Sequence, residues 1–230
     1  CAGLFGRAPL LVLQTCLASV GSVSGQARPS YEKLKRTLAA RADAPAPLRA
    51  WSGTLLAEMA ERLGEHGAAD AHFREALRAD PEDSYLLAAY ADFLLDRGRP
   101  QDVLRLLETR TAADALLLRH AIALQAIGSP RAAQQVAALR ARFEAARRRG
   151  DTVHRREEAR FALALDGNPG EAVRLAKLNW AVQKEPADLR ILAQAAAASG
   201  DTDAGRLVRD WLRHSRIEDR RLSAGAKGAA

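Results

Sequence analysis

Five glycines, Gly64, Gly98, Gly128, Gly167 and Gly200, recur 34, 30, 39 and 33 residues apart, each between two stretches of helical periodicity. A period in this range constrains the fold more than any other feature of the chain. Each unit is one supersecondary element that buries its apolar face only against its neighbours, so the chain reads as a stacked array. No alternating strand pattern of useful length occurs, and alanine-rich helical stretches dominate, which predicts an all-α fold. A non-repetitive bundle with accidental glycines is the competing reading; it predicts no register shared between units.

The clearest unit spans Trp51 to Pro81. Leu55, Leu56, Met59, Ala60 and Leu63 recur at helical spacing and stop at Gly64; Ala69, Phe73, Ala76 and Leu77 follow on one face of a second helix ending at Asp80-Pro81. Glycine supplies the left-handed turn, proline stops the second helix, and small residues let the helices approach closely. A shift of 34 residues brings Ala91, Leu94, Gly98, Val103 and Leu107 into the same roles. Later units place Ala121, Leu124, Gly128, Ala133 and Ala137, then Phe161, Gly167, Ala172, Ala176 and Trp180, then Leu192, Gly200, Leu207, Val208 and Leu212. A front hairpin runs from Leu10 to Val20, turns at Gly25 and returns from Tyr31 to Leu38.

The pattern of small residues in both helices, a turn glycine, an aromatic in the second helix and a closing proline resembles the tetratricopeptide repeat. That resemblance implies a right-handed α-solenoid of about five to six antiparallel helix hairpins. The unequal spacings, and later units lacking the second-helix aromatic, predict irregular stacking. The expected organisation is the end of a truncated upstream repeat at 1–8, the repeat domain at 9–221 and a disordered tail at 222–230.

The 230 residues are 48% hydrophobic but only 5% aromatic, so cohesion must come from many Ala and Leu contacts. Net charge is +7, and thirty of the 35 cationic residues are arginine. Codon composition in a GC-rich bacterium accounts for such a bias; an anionic partner is the functional alternative. The dense cluster is Arg140, Arg142, Arg147, Arg148, Arg149, Arg155 and Arg156, across a helix end and the following loop. Cations favour a helix C-terminus, and no aromatic platform for bases accompanies them, so nucleic acid is the alternative partner, not the first.

Cys1 rather than Met opens the sequence, which reads as the C-terminal part of a longer protein. Residues 8–20 resemble the hydrophobic region of a signal peptide, but Gln14 and Thr15 interrupt it and it runs on like a repeat, so a core helix is expected. No apolar run of about 18 residues occurs to span a membrane. Cys16 falls on an apolar helix face, where a buried free thiol is the usual reading. A Cys1–Cys16 disulfide between neighbouring units is the other, and would suit an oxidising compartment. The chain is also similar to exported proteobacterial repeat proteins that have no assigned activity, which implies the periplasm, with the cytoplasm as the alternative.

Chemistry-bearing motifs are sparse. There is no phosphate-binding glycine loop, no pair of Cys-x-x-Cys motifs and no nucleophile elbow. His154, Glu157 and Glu158 share one helix side but lack a further convergent metal ligand, and arginines flank them. The expectation is a non-catalytic scaffold with no cofactor.

The family resemblance implies that first helices line a concave face that takes a protein or peptide. By register this groove holds Trp51, Thr54, Glu58, Glu61 and Arg62, then Tyr85, Ala88, Asp92, Leu95 and Asp96, then Ala115, Leu118, Ile122, Gln125 and Ala126, then His154, Glu157, Phe161, Ala164 and Leu165, then Arg190 and Gln194. Glu58, Glu61, Asp92 and Asp96 would make its front acidic, with Trp51 and Tyr85 beside them to contact an apolar or cationic side chain. The family's carboxylate-clamp subset uses Lys and Asn at sites here held by Thr54, Glu58, Ala88 and Asp92; acidic residues would repel such a ligand.

Overall fold

The computed structural model describes residues 9–222. Those residues form twelve helices paired in sequence as six hairpins, a further helical turn at 220–222, and no strand. They are α1 (Leu10–Ser22) with α2 (Ala27–Ala39), α3 (Ala46–Arg62) with α4 (His66–Ala79), and α5 (Ser84–Asp96) with α6 (Pro100–Leu107). Then come α7 (Asp114–Ala126) with α8 (Arg131–Arg148), α9 (Arg155–Ala164) with α10 (Pro169–Trp180), and α11 (Pro186–Ser199) with α12 (Thr202–Ser215). The all-α array of helix hairpins expected from the glycine period is the fold.

Each spaced glycine has a left-handed backbone, with φ of 81° at Gly64 and 61–71° at the others. At Gly64, Glu65 N–H reaches back to Ala60 O (2.8 Å) and Gly64 N–H to Glu61 O (2.9 Å). The same two bonds recur at Gly98, onto Leu94 and Leu95, and at Gly128, onto Leu124 and Gln125. This is the Schellman closure, which satisfies carbonyls left over at a helix end and needs a residue that tolerates positive φ. Prolines start α6, α10 and α11 at positions where a missing N–H costs nothing. Glu185 and Asp188 close a reciprocal capping box on α11.

The chain divides into two compact units, one made of residues up to Tyr90 together with those from Trp211 onward, the other of Ala91–Asp210. In the first, α1 packs on α2 and α3, and α3 on α4. Gly53 lets α3 approach α4: a Cβ there would lie 3.1 Å from Ala76 Cβ. Phe73 is fully buried and stacks on Tyr90 at 5.1 Å between centroids, and Tyr31 OH meets His72 Nε2 at 2.9 Å. Gln14 and Thr15, the polar pair within the apolar stretch, are themselves buried, and Thr15 Oγ1 shares a 2.7 Å hydrogen bond with Ser52 of α3. Their burial makes α1 a packed helix of the array.

In the second unit, α7 packs on α6, α8 and α9, and α10 on α9 and α11. Leu117, Leu118, Ala121, Leu139, Phe143 and Phe161 form one buried cluster, with the two phenylalanine rings edge to face at 5.5 Å. Here the expected register fails. Ala133 and Ala137 are exposed, and Leu139, Phe143 and Ala146 take the packing role. The reason is length: α8 has 18 residues, so its buried stripe lies further along, and Phe143 supplies the second-helix aromatic thought missing. An α6 of only 8 residues likewise accounts for the 30-residue spacing. Leu222, expected to open a disordered tail, is buried, while 223–230 lie outside the described residues. Cys1 and the segment 1–8 lie outside them as well; Cys16 is half-buried on α1.

Candidate functional site

The groove residues expected in the first unit fall into two neighbourhoods on α3. Trp51 is 43% exposed and stands two turns before Glu58, which places both on one side of the helix. Asp83 caps the start of α5, accepting from the N–H groups of Tyr85 (2.8 Å) and Leu86 (3.0 Å). The cap sets Tyr85 with half of its surface exposed (52%), and its hydroxyl donates to Glu58 Oε1 at 2.7 Å. Trp51 and Tyr85 are thus exposed rings on α3 and α5, and Tyr85 holds the half-buried Glu58 carboxylate two turns along α3 from Trp51.

Glu61 and Arg62, one turn further on, are not open. Both are buried; Glu61 pairs with Arg221 at 2.9 Å, and Arg62 donates to Ser22 Oγ at 3.0 Å. Burial pulls the Arg62 guanidinium below its ordinary value, opposed by the nearby carboxylates of Glu58 and Asp219.

Within the second unit, the acidic front read from Asp92 and Asp96 is neutralised. Asp92 of α5 takes both Nε and Nη2 of Arg119 from α7, each at 2.9 Å, and Arg160 of α9 at 2.6 Å. Arg119 also donates to Glu157 of α9 and to Ala115 O, and is only 6% exposed. Asp96 pairs with Arg190 of α11. Burial alone would raise the Asp92 carboxyl, but Arg119 and Arg160 outweigh it and hold the group well below the usual carboxylate range. Burial, aided by Arg119 and Arg190, lowers the Arg160 guanidinium despite Asp92 beside it. Gln125 is exposed and donates to Ala164 O at 3.2 Å, whereas Thr54, Leu118 and Phe161, also read as groove positions, are buried: Thr54 turns its hydroxyl back onto Ala50 O (2.8 Å), and the other two belong to the core cluster.

Arg119 and Arg160 were not singled out in the sequence. Their signal was there: acidic residues on first helices α5 and α9 are matched by arginines on α7, α9 and α11. The pairing joins first helices of successive hairpins, which is why composition could not reveal it.

The arginine cluster is spread over several carboxylates. Arg140 pairs with Asp166 (2.5 Å), Arg142 with Asp114 (2.7 Å), and Arg156 with Glu185 (3.0 Å) and Asp188 (3.3 Å). Arg147 lies 3.7 Å from Glu158 and from Glu171. His154 and Glu157 do not converge: His154 faces Asp151 at 3.7 Å, and Glu157 faces Arg119 and Arg156. Among the described residues no group of three His, Cys, Asp or Glu side chains is placed to hold a metal, and no helix is long and apolar enough to cross a membrane.

A family model described as "Tetratricopeptide repeat" matches residues 24–145, from before α2 into α8. Comparison with curated proteins and with solved structures finds no match.

Proposed function

Because the chain belongs to the tetratricopeptide repeat family, whose repeats generally serve as protein-interaction scaffolds, we propose that it is a non-catalytic scaffold whose open contact is the patch of Trp51, Glu58 and Tyr85. One observation carries this reading: the half-exposed Tyr85 ring of α5 holds the Glu58 carboxylate of α3, two turns along from the half-exposed Trp51. Such a patch suits a lysine or arginine of a partner peptide, whose apolar stem lies on the rings while its cation meets Glu58. Aromatic residues that a partner covers dominate interface energies. Asp92 and Asp96 take no part, since their charge is spent on Arg119, Arg160 and Arg190.

A peptide array sorted by net charge tests the proposal. Trp51→Ala and Tyr85→Ala should each weaken captured peptides about tenfold, the equivalent of about 1.4 kcal/mol. Glu58→Lys should remove the preference for cationic sequences. Unchanged binding in all three variants, with unchanged thermal unfolding, rejects the patch. The nucleic-acid alternative has lost support because Arg140, Arg142 and Arg156 are engaged by carboxylates. A low-salt gel-shift assay showing a complex would restore it. A periplasmic location stays part of the proposal, supported by the resemblance to exported repeat proteins, and cell fractionation tests it.

A further inference from the structure

Residues 216–222 leave α12 and lie against the first unit's hairpins, covering the ends of α1 and α3. Arg216 makes the turn at φ 55°, the left-handed region that a side chain adopts only when its surroundings impose it. Those surroundings are visible at two turn glycines. A Cβ on Gly25 would lie 2.9 Å from Arg216 Cβ, and one on Gly64 would lie 2.8 Å from Arg220 Cδ. At Gly98, Gly128, Gly167 and Gly200 a Cβ would meet nothing within 4 Å. The first two glycines therefore do more than close a helix: they form the floor of a seat.

The seat is complementary to its occupant. Helix α2 has no acidic residue in its first turn and no side-chain cap of its own; Glu218 Oε2 accepts from Ala27 N–H at 2.6 Å and takes that place. Asp219 is buried and holds Arg221 through Nε (2.9 Å) and Nη2 (2.7 Å), and Arg221 reaches Glu61 at 2.9 Å. Thus an acid and a base on the segment meet a base, Arg62, and an acid, Glu61, side by side on α3. Leu222 is buried beyond them. The fit is incomplete, because Arg62 Nε has no hydrogen-bond partner while the segment is seated.

We propose that the surface formed by Gly25, Ala27, Glu61, Arg62 and Gly64 is a peptide-binding site that residues 216–222 occupy as an internal, displaceable ligand. Its exchange ligand is a partner segment carrying the same order of chemistry, two consecutive carboxylates followed by an arginine two residues on and a leucine three residues on. The proposal rests on the scaffold reading but uses a surface separate from Trp51 and Tyr85. A tethered ligand acts at an effective concentration on the order of millimolar, so the intact chain masks the site from dilute peptides.

Fluorescence anisotropy with a labelled peptide of residues 214–222 (HSRIEDRRL) tests this on the full chain. Glu218→Ala with Arg221→Ala loosens the resident segment and leaves the seat untouched, and should bind the peptide at least tenfold more tightly than the wild type. Adding Glu61→Arg should abolish that gain, and Trp51→Ala should leave it unchanged, which separates this proposal from the aromatic patch. In the wild type, hydrogen exchange with excess unlabelled peptide should accelerate at residues 217–222 while α3 stays protected; this arm decides if the double variant fails to fold. Overturning results are no gain in a folded double variant, equal binding of a scrambled peptide, or no change in wild-type exchange at 217–222. A dimer in native mass spectrometry that disappears in the double variant would also overturn the proposal, since the segment would then belong to a second copy.

Discussion

Asp92→Asn changes one atom type and removes the charge that Arg119 and Arg160 share. The wild-type carboxylate accepts two hydrogen bonds from Arg119 at 2.9 Å and pairs with Arg160 at 2.6 Å. Hydrogen bonds to charged groups contribute about 1.5–3 kcal/mol each, and breaking a buried ion pair costs about 3–5 kcal/mol. Asparagine keeps one acceptor, and Arg119 retains Glu157 and Ala115 O, so the lower end applies, about 3 kcal/mol. For a chain of this size each kcal/mol moves the melting midpoint by about 2–4 °C, so a loss of about 6–12 °C is expected at pH 7. The pH dependence adds a second test. Asp92's folded value lies below its unfolded one, about 3.9, so its contribution is complete above that pH and fades as pH falls through the folded value. Circular-dichroism melts should therefore show the gap between wild type and variant full at neutral pH and narrowing below about pH 4. Arg160→Met in the Asp92→Asn background should recover part of the loss, because the unpaired cation goes with it. A gap under about 0.5 kcal/mol at pH 7, the range of ordinary surface changes, would refute the reasoning, as would a gap that widens in acid.

Other predictions concern the core, the turns and the cysteines. Phe73→Ala and Leu94→Ala remove fully buried side chains and should each cost about 2–5 kcal/mol in a chemical denaturation series. Gly98→Ala should cost about 1–2 kcal/mol for its positive φ alone, whereas Gly25→Ala should cost more, because Arg216 Cβ and its carbonyl oxygen crowd the added methyl. Equal melting midpoints for those two glycine variants would mean that Arg216 is not held against the turn. If Cys1 and Cys16 pair, alkylation followed by mass spectrometry should leave both unlabelled until a reductant is added; labelling without reductant would end that expectation.

The sequence by itself determined the periodic part of this protein. Glycine is the residue that takes positive φ at no steric cost, so Gly64, Gly98 and Gly128 announced their turns, and Phe73 and Leu94 announced the faces packed beside them. The register of α8 escaped because repeat spacing does not report helix length, and an 18-residue helix carries Phe143 to where a shorter one would have placed Ala137. Only the tertiary structure decided which charges are available. Asp92, Arg119 and Arg160 lie 27 and 41 positions apart along the chain, yet share one buried network, and Glu61 is met by Arg221 from the far end of the sequence. Whether a carboxylate faces solvent or a guanidinium depends on what folds against it, because Coulomb energy falls with distance in space and knows nothing of distance along the chain.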